Sequence, residues 1–268
     1  MFTHSTAMPA DYLQPTGCAT LTRSSCRILL RCVQHPVPVE VNVSEFKKKL
    51  GQLRNDIVTQ GDRVLDLTLK AVECYFDDDQ EKASTVISVD EVIDKVDVEI
   101  ERASIPLLTM GSDDAHDIRS ILTIVKVNNE FEKIADCAVN VSEVVLENKG
   151  DAKLVPNTFR VMANSVIGML RDSIRSLEDS NVELARQVLL FDDTVDAFKS
   201  EILMNSQARV ADGSLEVAFA FRLMTVTKSL ERIADHCTNI CEQVIYLETG
   251  KIVRHSSQGW SEPITPES

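Results

Sequence analysis

One pattern of acids is written twice in this chain, and it constrains the fold more than any other feature. FEKIADCAVNVSEVV (Phe131 to Val145) carries Glu132, Asp136, Asn140 and Glu143. LERIADHCTNICEQV (Leu230 to Val244) carries Glu231, Asp235, Asn239 and Glu242, each 99 residues later. A second pair of segments repeats at an offset of 102: VDEVIDKVDVEI (Val89 to Ile100) against FDDTVDAFKSEI (Phe191 to Ile202). Two such pairs imply two copies of one structural unit. The fall from 102 to 99 predicts a connection three residues shorter before the third helix of the second copy, since loops tolerate such changes.

The period within each copy is helical. Taking about 100° per residue from Glu132, Asp136 falls near 40°, Asn140 near 80° and Glu143 near 20°. Phe131, Ile134, Ala138 and Val145 fall on the other side, as do Leu230, Ile233, Cys237 and Ile240 in the later copy. Each acid row therefore reads as an exposed stripe opposite a core-facing one. In the earlier helix of the first copy, Asp90, Asp94, Asp97 and Glu101 share a face opposite Val89, Val92, Val96 and Ile100. In the second copy Asp192 and Asp196 repeat the first two acids, while Lys199 and Leu203 replace the others.

Punctuation divides the chain into six helices. They are expected at about 44–76, 81–104 (stopping near Pro106), 115–148, 157–177, 181–207 and 215–248, with Gly150 and Gly250 as C-terminal caps. Short connections make neighbours antiparallel, giving an all-α fold of two antiparallel three-helix bundles over 43–150 and 151–250. Residues 1–42 read as an irregular extension, dispensable for folding, and 251–268 as a loose tail. The composition agrees: 44% hydrophobic but 5% aromatic, with 9 glycines and 8 prolines, favours aliphatic helix packing over sandwiches or barrels.

The net charge of −14 repels phosphate backbones and argues against nucleic-acid binding. Free phosphate is repelled too, and no glycine-rich nest or arginine cluster is present to overcome this. Seven cysteines without a Cys-x-x-Cys pair read as free thiols in a reducing cytoplasm. No stretch of 18 apolar residues suggests a membrane span. CRILLRCV is too short for a secretory signal. The first 35 residues, with only Asp11 acidic, read as a non-core extension or a misassigned start rather than an organellar transit segment.

A single acidic row is ordinarily just a solvated helix face. Here the spacing acid-x-x-x-acid recurs in four helices, although like charges at i and i+4 destabilise a helix by a few tenths of a kcal/mol. Paired carboxylates on adjacent helices suit a hard or borderline cation such as iron, manganese, magnesium or calcium. Three features read as less informative. His236 lies at the stripe's edge and reads as a boundary residue. Cys237 and Cys241 read as core packing rather than a zinc pair. Cys18, Cys26 and Cys32 match no zinc spacing.

These residues resemble the PhoU family, accessory proteins of phosphate transport and the phosphate regulon. LERIADHCTNICEQVIYLETGKIVRH (Leu230 to His255) is similar to the family's closing signature, and the other three segments to its repeats. The resemblance spans roughly four fifths of the chain, from Val43 to His255. Lys133 stands where the family usually has arginine, and Ala135 and Ala234 where it commonly has glycine.

The resemblance implies two three-helix bundles in pseudo-twofold relation. It implies multinuclear metal clusters on Asp90, Asp94, Glu132 and Asp136 and on Asp192, Asp196, Glu231 and Asp235, with iron favoured over manganese, magnesium or zinc. It implies a cytoplasmic, non-enzymatic homodimer that works between a phosphate ABC transporter ATPase and a phosphate-sensing histidine kinase, reaching the membrane only through partners. The competing readings are a carboxylate-bridged dimetal enzyme and a metal-storage bundle. The enzyme is disfavoured because no Glu-x-x-His motif repeats.

Overall fold

The computed structural model describes residues 43–147, 154–256 and 259–261. Six helices follow in order: α1 (Val43–Asp77), α2 (Gln80–Met110), α3 (Ala115–Glu147), α4 (Asn157–Glu178), α5 (Val182–Ala211) and α6 (Val217–Thr249). Helices α1–α3 pack on one another as one bundle and α4–α6 as the other, joined by α3 against α6 and α1 against α4. The described residues belong to one compact unit and share one apolar core. The extension 1–42 and Gly150 lie outside the described residues.

The repeat extends to the turns. Asp78 (φ 57°) and Ser180 (φ 53°), 102 residues apart, are the non-glycine residues with positive φ among those described. Short polar side chains tolerate this left-handed conformation. The next residue in each case, Asp79 or Asn181, is an N-cap whose side chain accepts from the backbone N–H three residues on, Lys82 at 2.9 Å and Leu184 at 3.0 Å. Each cap fills one of the helix's unsatisfied N–H groups. Asp79→Ala and Asn181→Ala are each expected to cost about 1 kcal/mol, read by urea unfolding. A loss in only one variant would show that the two turns are not energetically equivalent.

Three expectations change. First, α2 runs through Pro106 to Met110. Pro106 is exposed, so the Arg102 carbonyl it leaves unbonded can be hydrated, and burial of Leu107 beyond it holds the helix on. Second, the three-residue difference between copies does not shorten the connection. Residues 111–114 link α2 to α3 and 212–216 link α5 to α6, so the second link is one residue longer. The arms of the α5–α6 hairpin are shorter instead, by roughly one turn in all. Third, the tail is partly ordered. Val253 is buried, and β1 (Arg254–Ser256) pairs antiparallel with β2 (Gly259–Ser261).

Helix α2 also meets its bundle differently from the expected pattern. Its buried apolar residues are Ala83, Val86, Ile93, Ile100 and Leu107, while Val92 is 47% exposed. Val86, Ile93, Ile100 and Leu107 are spaced by seven. Asp90, Asp97 and Ser104 fill the alternate positions of that seam. Helix α5 repeats it 102 residues later with Val188, Val195 and Ile202, interleaved by Asp192, Lys199 and Ser206. The first acid of each row is therefore a seam residue rather than part of a purely solvent-facing stripe.

Candidate functional site

In the first half, α2 and α3 gather acids along this seam. Asp90 and Glu132 are partly buried, while Asp94 and Asp136 are exposed. The Oδ1 atom of Asp90 is buried without a hydrogen-bond partner. Burial first, then the charges of Asp94 and Asp136, push the Asp90 carboxyl up to about 6. Burial also raises Glu132, with Asp136, Asp97 and Asp94 adding repulsion, and raises Asp97, with Glu101 and Asp94 adding. Asp97 Oδ1 accepts from the Asn128 amide at 2.6 Å. Among the described residues no lysine or arginine forms an ion pair with Asp90, Asp94, Asp97, Glu132 or Asp136. The result is a concentration of negative charge with oxygen donors and no ion-paired counter-charge, with Lys133 only a minor offset at Glu132. Added cations are its natural complement.

The second half brings together Asp196, Glu231 and Asp235. Partial desolvation, then Glu231 and Asp196, raise the Asp235 carboxyl. Asp192 is partly buried on the same seam. Here, however, Lys199 reaches across from α5. Its Nζ donates to Glu231 Oε1 at 2.7 Å and lies 3.6 Å from Asp196 Oδ1. The hydrogen bond to Glu231 holds the ammonium pKa above its usual value against partial desolvation. Lys199 stands where the first copy has Asp97.

The late polar residues of α6, Asn239 and Glu242, leave the row. Asn239 donates to Glu130 Oε2 at 2.9 Å, and Glu242 is buried. Their azimuths match the expectation, but this part of α6 enters the junction with α3, so the same helix face has different surroundings along its length. His236 also belongs to the junction, as its boundary reading anticipates, with Nδ1 2.8 Å from Glu130 Oε2. Burial would raise the Glu130 carboxyl, but the bonds from His236 and Asn239 and nearby positive charge outweigh it and hold the pKa below the usual range.

Glu130 was not singled out by sequence reasoning. Its position, about 160° around α3 from Glu132, puts an acid on the apolar side, and that was the available sign. The buried thiols of Cys74 and Cys137 are pushed up to about 11 and that of Cys241 to about 12 by burial, and burial also raises that of Cys237. Such thiols are structural rather than reactive or metal-binding.

Among the described residues no three His, Cys, Asp or Glu side chains converge closely enough to ligate one ion. A metal would have to draw the α2 and α3 carboxylates inward. The first half suits this, through the unpartnered Asp90 oxygen and the lack of a direct ion pair to its acids. The second half does not, because Lys199 occupies the space between Asp196 and Glu231.

Comparison with known proteins places this arrangement. A model of the PhoU domain matches residues 57–145 and 159–244, one copy in each half. The chain is 30% identical over 211 residues to a phosphate-specific transport system accessory protein PhoU homolog of Clostridium acetobutylicum, covering 78% of this chain and 96% of that protein. It is 31% identical over 209 residues to the homolog of the same name in Aquifex aeolicus, covering 78% and 95%. The crystal structure of the phosphate transport system regulatory protein PhoU from Streptococcus pneumoniae shares the fold, with a TM-score of 0.73 at 24% identity over 78% of this chain and 99% of that one. PhoU from Pseudomonas aeruginosa gives 0.71 at 25% identity, over 76% and 99%. With a PhoU domain matched in each half and the six helices arranged as in the solved structures, the chain belongs to the PhoU family.

Proposed function

We propose that this protein is an accessory regulator of phosphate transport that reports the state of the phosphate ABC transporter ATPase to a phosphate-sensing histidine kinase. It restrains phosphate uptake and holds phosphate-regulon signalling off when phosphate is plentiful. The observation that carries this reading is the match of both halves to a family whose relatives are named phosphate-specific transport system accessory proteins. No helix among the described residues is long and apolar enough to cross a membrane, which accords with a cytoplasmic adaptor that reaches the membrane through its partners. In this reading it works as a homodimer and performs no catalysis of its own.

The first-half carboxylates Asp90, Asp94, Glu132 and Asp136 would hold the metal, iron before manganese, magnesium or zinc. Bound there, it would relieve the repulsion among them. The two interhelical seams would serve as docking faces, because each runs from the acids into exposed apolar residues. These are Ile105, Leu108 and Leu122 in the first half and Phe221 and Met224 in the second. Contacts of this mixed kind should weaken with salt at the acidic end and persist at the apolar end.

The test is affinity capture from phosphate-replete cells with the wild-type chain and with Phe221→Asp. Recovery of the transporter ATPase or the kinase by the wild type, reduced in the variant, is expected. A gene-deletion strain is expected to express phosphate-scavenging genes despite abundant phosphate. Calorimetry on metal-free protein should detect no phosphate binding. Normal repression in the deletion strain, or tight phosphate binding by the metal-free chain, would defeat the adaptor reading.

A further inference from the structure

We infer that the second half carries its own cation, the Lys199 ammonium, in the place where the first half would take a metal, so that metal binding in this chain is confined to the α2–α3 side. The inference rests on the metal reading above and departs from the symmetric pair of clusters that the repeat suggests. Lys199 is the repeat counterpart of Asp97, 102 residues on, at the same seam position. Its Nζ lies 2.7 Å from Glu231 Oε1 and 3.6 Å from Asp196 Oδ1, so one positive charge bridges two of the four carboxylates a second cluster would need.

The bridge is partly sheltered, with side-chain exposures of 36% for Lys199 and 20% for Glu231. A divalent or trivalent ion cannot share those oxygens without driving the ammonium out against a charge-assisted hydrogen bond. The neighbouring positions have changed as well. Asn128, which fixes Asp97 by its amide, has Thr227 as its counterpart, and the Thr227 hydroxyl bonds to Leu223 O within its own helix at 2.7 Å. Glu101 has Leu203 as its counterpart, which lines an apolar groove of about 340 Å³ with Val210, Phe221 and Met224. One acid has become a base and another apolar, and two of the remaining acids, Asp196 and Glu231, are bridged from within. The bridge supplies internally part of the positive charge that an added ion would bring.

The experiment compares four full-length proteins, each stripped with chelator and then dialysed against Mn²⁺: wild type, E132Q/D136N, E231Q/D235N and K199D. Bound manganese per chain is measured by elemental analysis. Loss of bound manganese to background is expected in E132Q/D136N, with wild-type content in E231Q/D235N and a gain in K199D. Equal losses in the two carboxylate pairs, or no gain in K199D beside a metal-binding wild type, would overturn the inference. A wild type that binds no manganese defeats the metal reading itself, and melting of the metal-free chain then decides the role of Lys199. K199Q should melt about 2 °C below wild type, the shift expected for loss of a partly exposed ion pair. In the E231Q background, where only the 3.6 Å contact to Asp196 remains, the same change should have a smaller effect. Equal melting of K199Q and wild type would show that the bridge carries nothing.

Discussion

Replacing Gly61 by valine is expected to lower the melting temperature by roughly 4–8 °C, the shift that about 2 kcal/mol produces in a protein of this size. Gly61 lies in α1, where that helix meets α3 of its own bundle and α4 of the other. A Cβ there would stand 2.8 Å from Phe131 Cζ, 3.1 Å from Ile174 Cγ1 and 3.2 Å from Phe131 Cε2. Phe131 is fully buried and Ile174 nearly so, so neither can swing into solvent. Overpacking of this kind costs about 1–3 kcal/mol, occasionally more. Relief from glycine's poor helix propensity returns less than about 1 kcal/mol. Gly61→Ala tests the same contact more gently, and Phe131→Leu should relieve it, so the double variant G61A/F131L should lose less than the two single losses added together. A valine variant that melts at or above the wild-type temperature would show that the ring moves freely and the helices are not in close contact there.

Position 61 shows what composition and periodicity leave open. In the sequence a glycine within a helical stretch reads as a local weakness. Its value comes from an aromatic ring 70 residues away, which no pattern within α1 contains. What could be read was whatever repeats. The duplicated acids gave the two copies, and the spacing of apolar residues in α3 and α6 placed Phe131, Ile134, Leu230 and Ile233 in the core, where they are.

In α2 the same reasoning misassigned Val92, because it sorted residues by polarity and assumed that acids face solvent. The helix instead keeps a seven-residue apolar spacing and puts Asp90 and Asp97 between those residues. A seam that accepts partly buried carboxylates departs from the rule that fills cores, and such departures are expected where function sets the residue. The bridge from Lys199 was half legible. The change of charge is visible in the sequence, but the reach to Glu231, 32 residues on, needs the α5–α6 packing.

The cost of that seam should be measurable as a dependence of stability on pH. In metal-free protein the melting temperature is expected to fall as pH rises from 5 to 7.5, and Asp90→Asn should remove much of the fall. The Asp90 carboxyl moves from its ordinary 3.8 to about 6 in the folded chain, through burial first and then Asp94 and Asp136. Between those values the folded state holds a proton that the unfolded state has released. Stability therefore decreases as pH rises through the window, and above about 6 the full penalty is present. Glu132, Asp97 and Asp235 are shifted the same way and add to it.

Glu130 and Asp117 act oppositely, since their folded pKa values are lowered. Their contribution is in place above the ordinary carboxylate range and is lost only as pH falls through it, so it does not offset the change between 5 and 7.5. Undiscounted, the Asp90 shift would correspond to about 3 kcal/mol. Asp90 is only partly buried, and solvent screening should reduce this to about 1–2 kcal/mol, or roughly 4 °C gained by Asp90→Asn at pH 7.5. At pH 4 the wild-type carboxyl is already neutral in the fold, and the two proteins should converge. If Mn²⁺ binds these carboxylates, adding it at pH 7.5 should recover the lost stability in the wild type and less of it in the variant, because an ion that binds only the folded state stabilises it in proportion to its affinity. A wild-type melting temperature that is flat between pH 5 and 7.5, together with no gain from Asp90→Asn, would mean that solvent reaches the seam freely and the crowded carboxylates carry no stored repulsion for a cation to relieve.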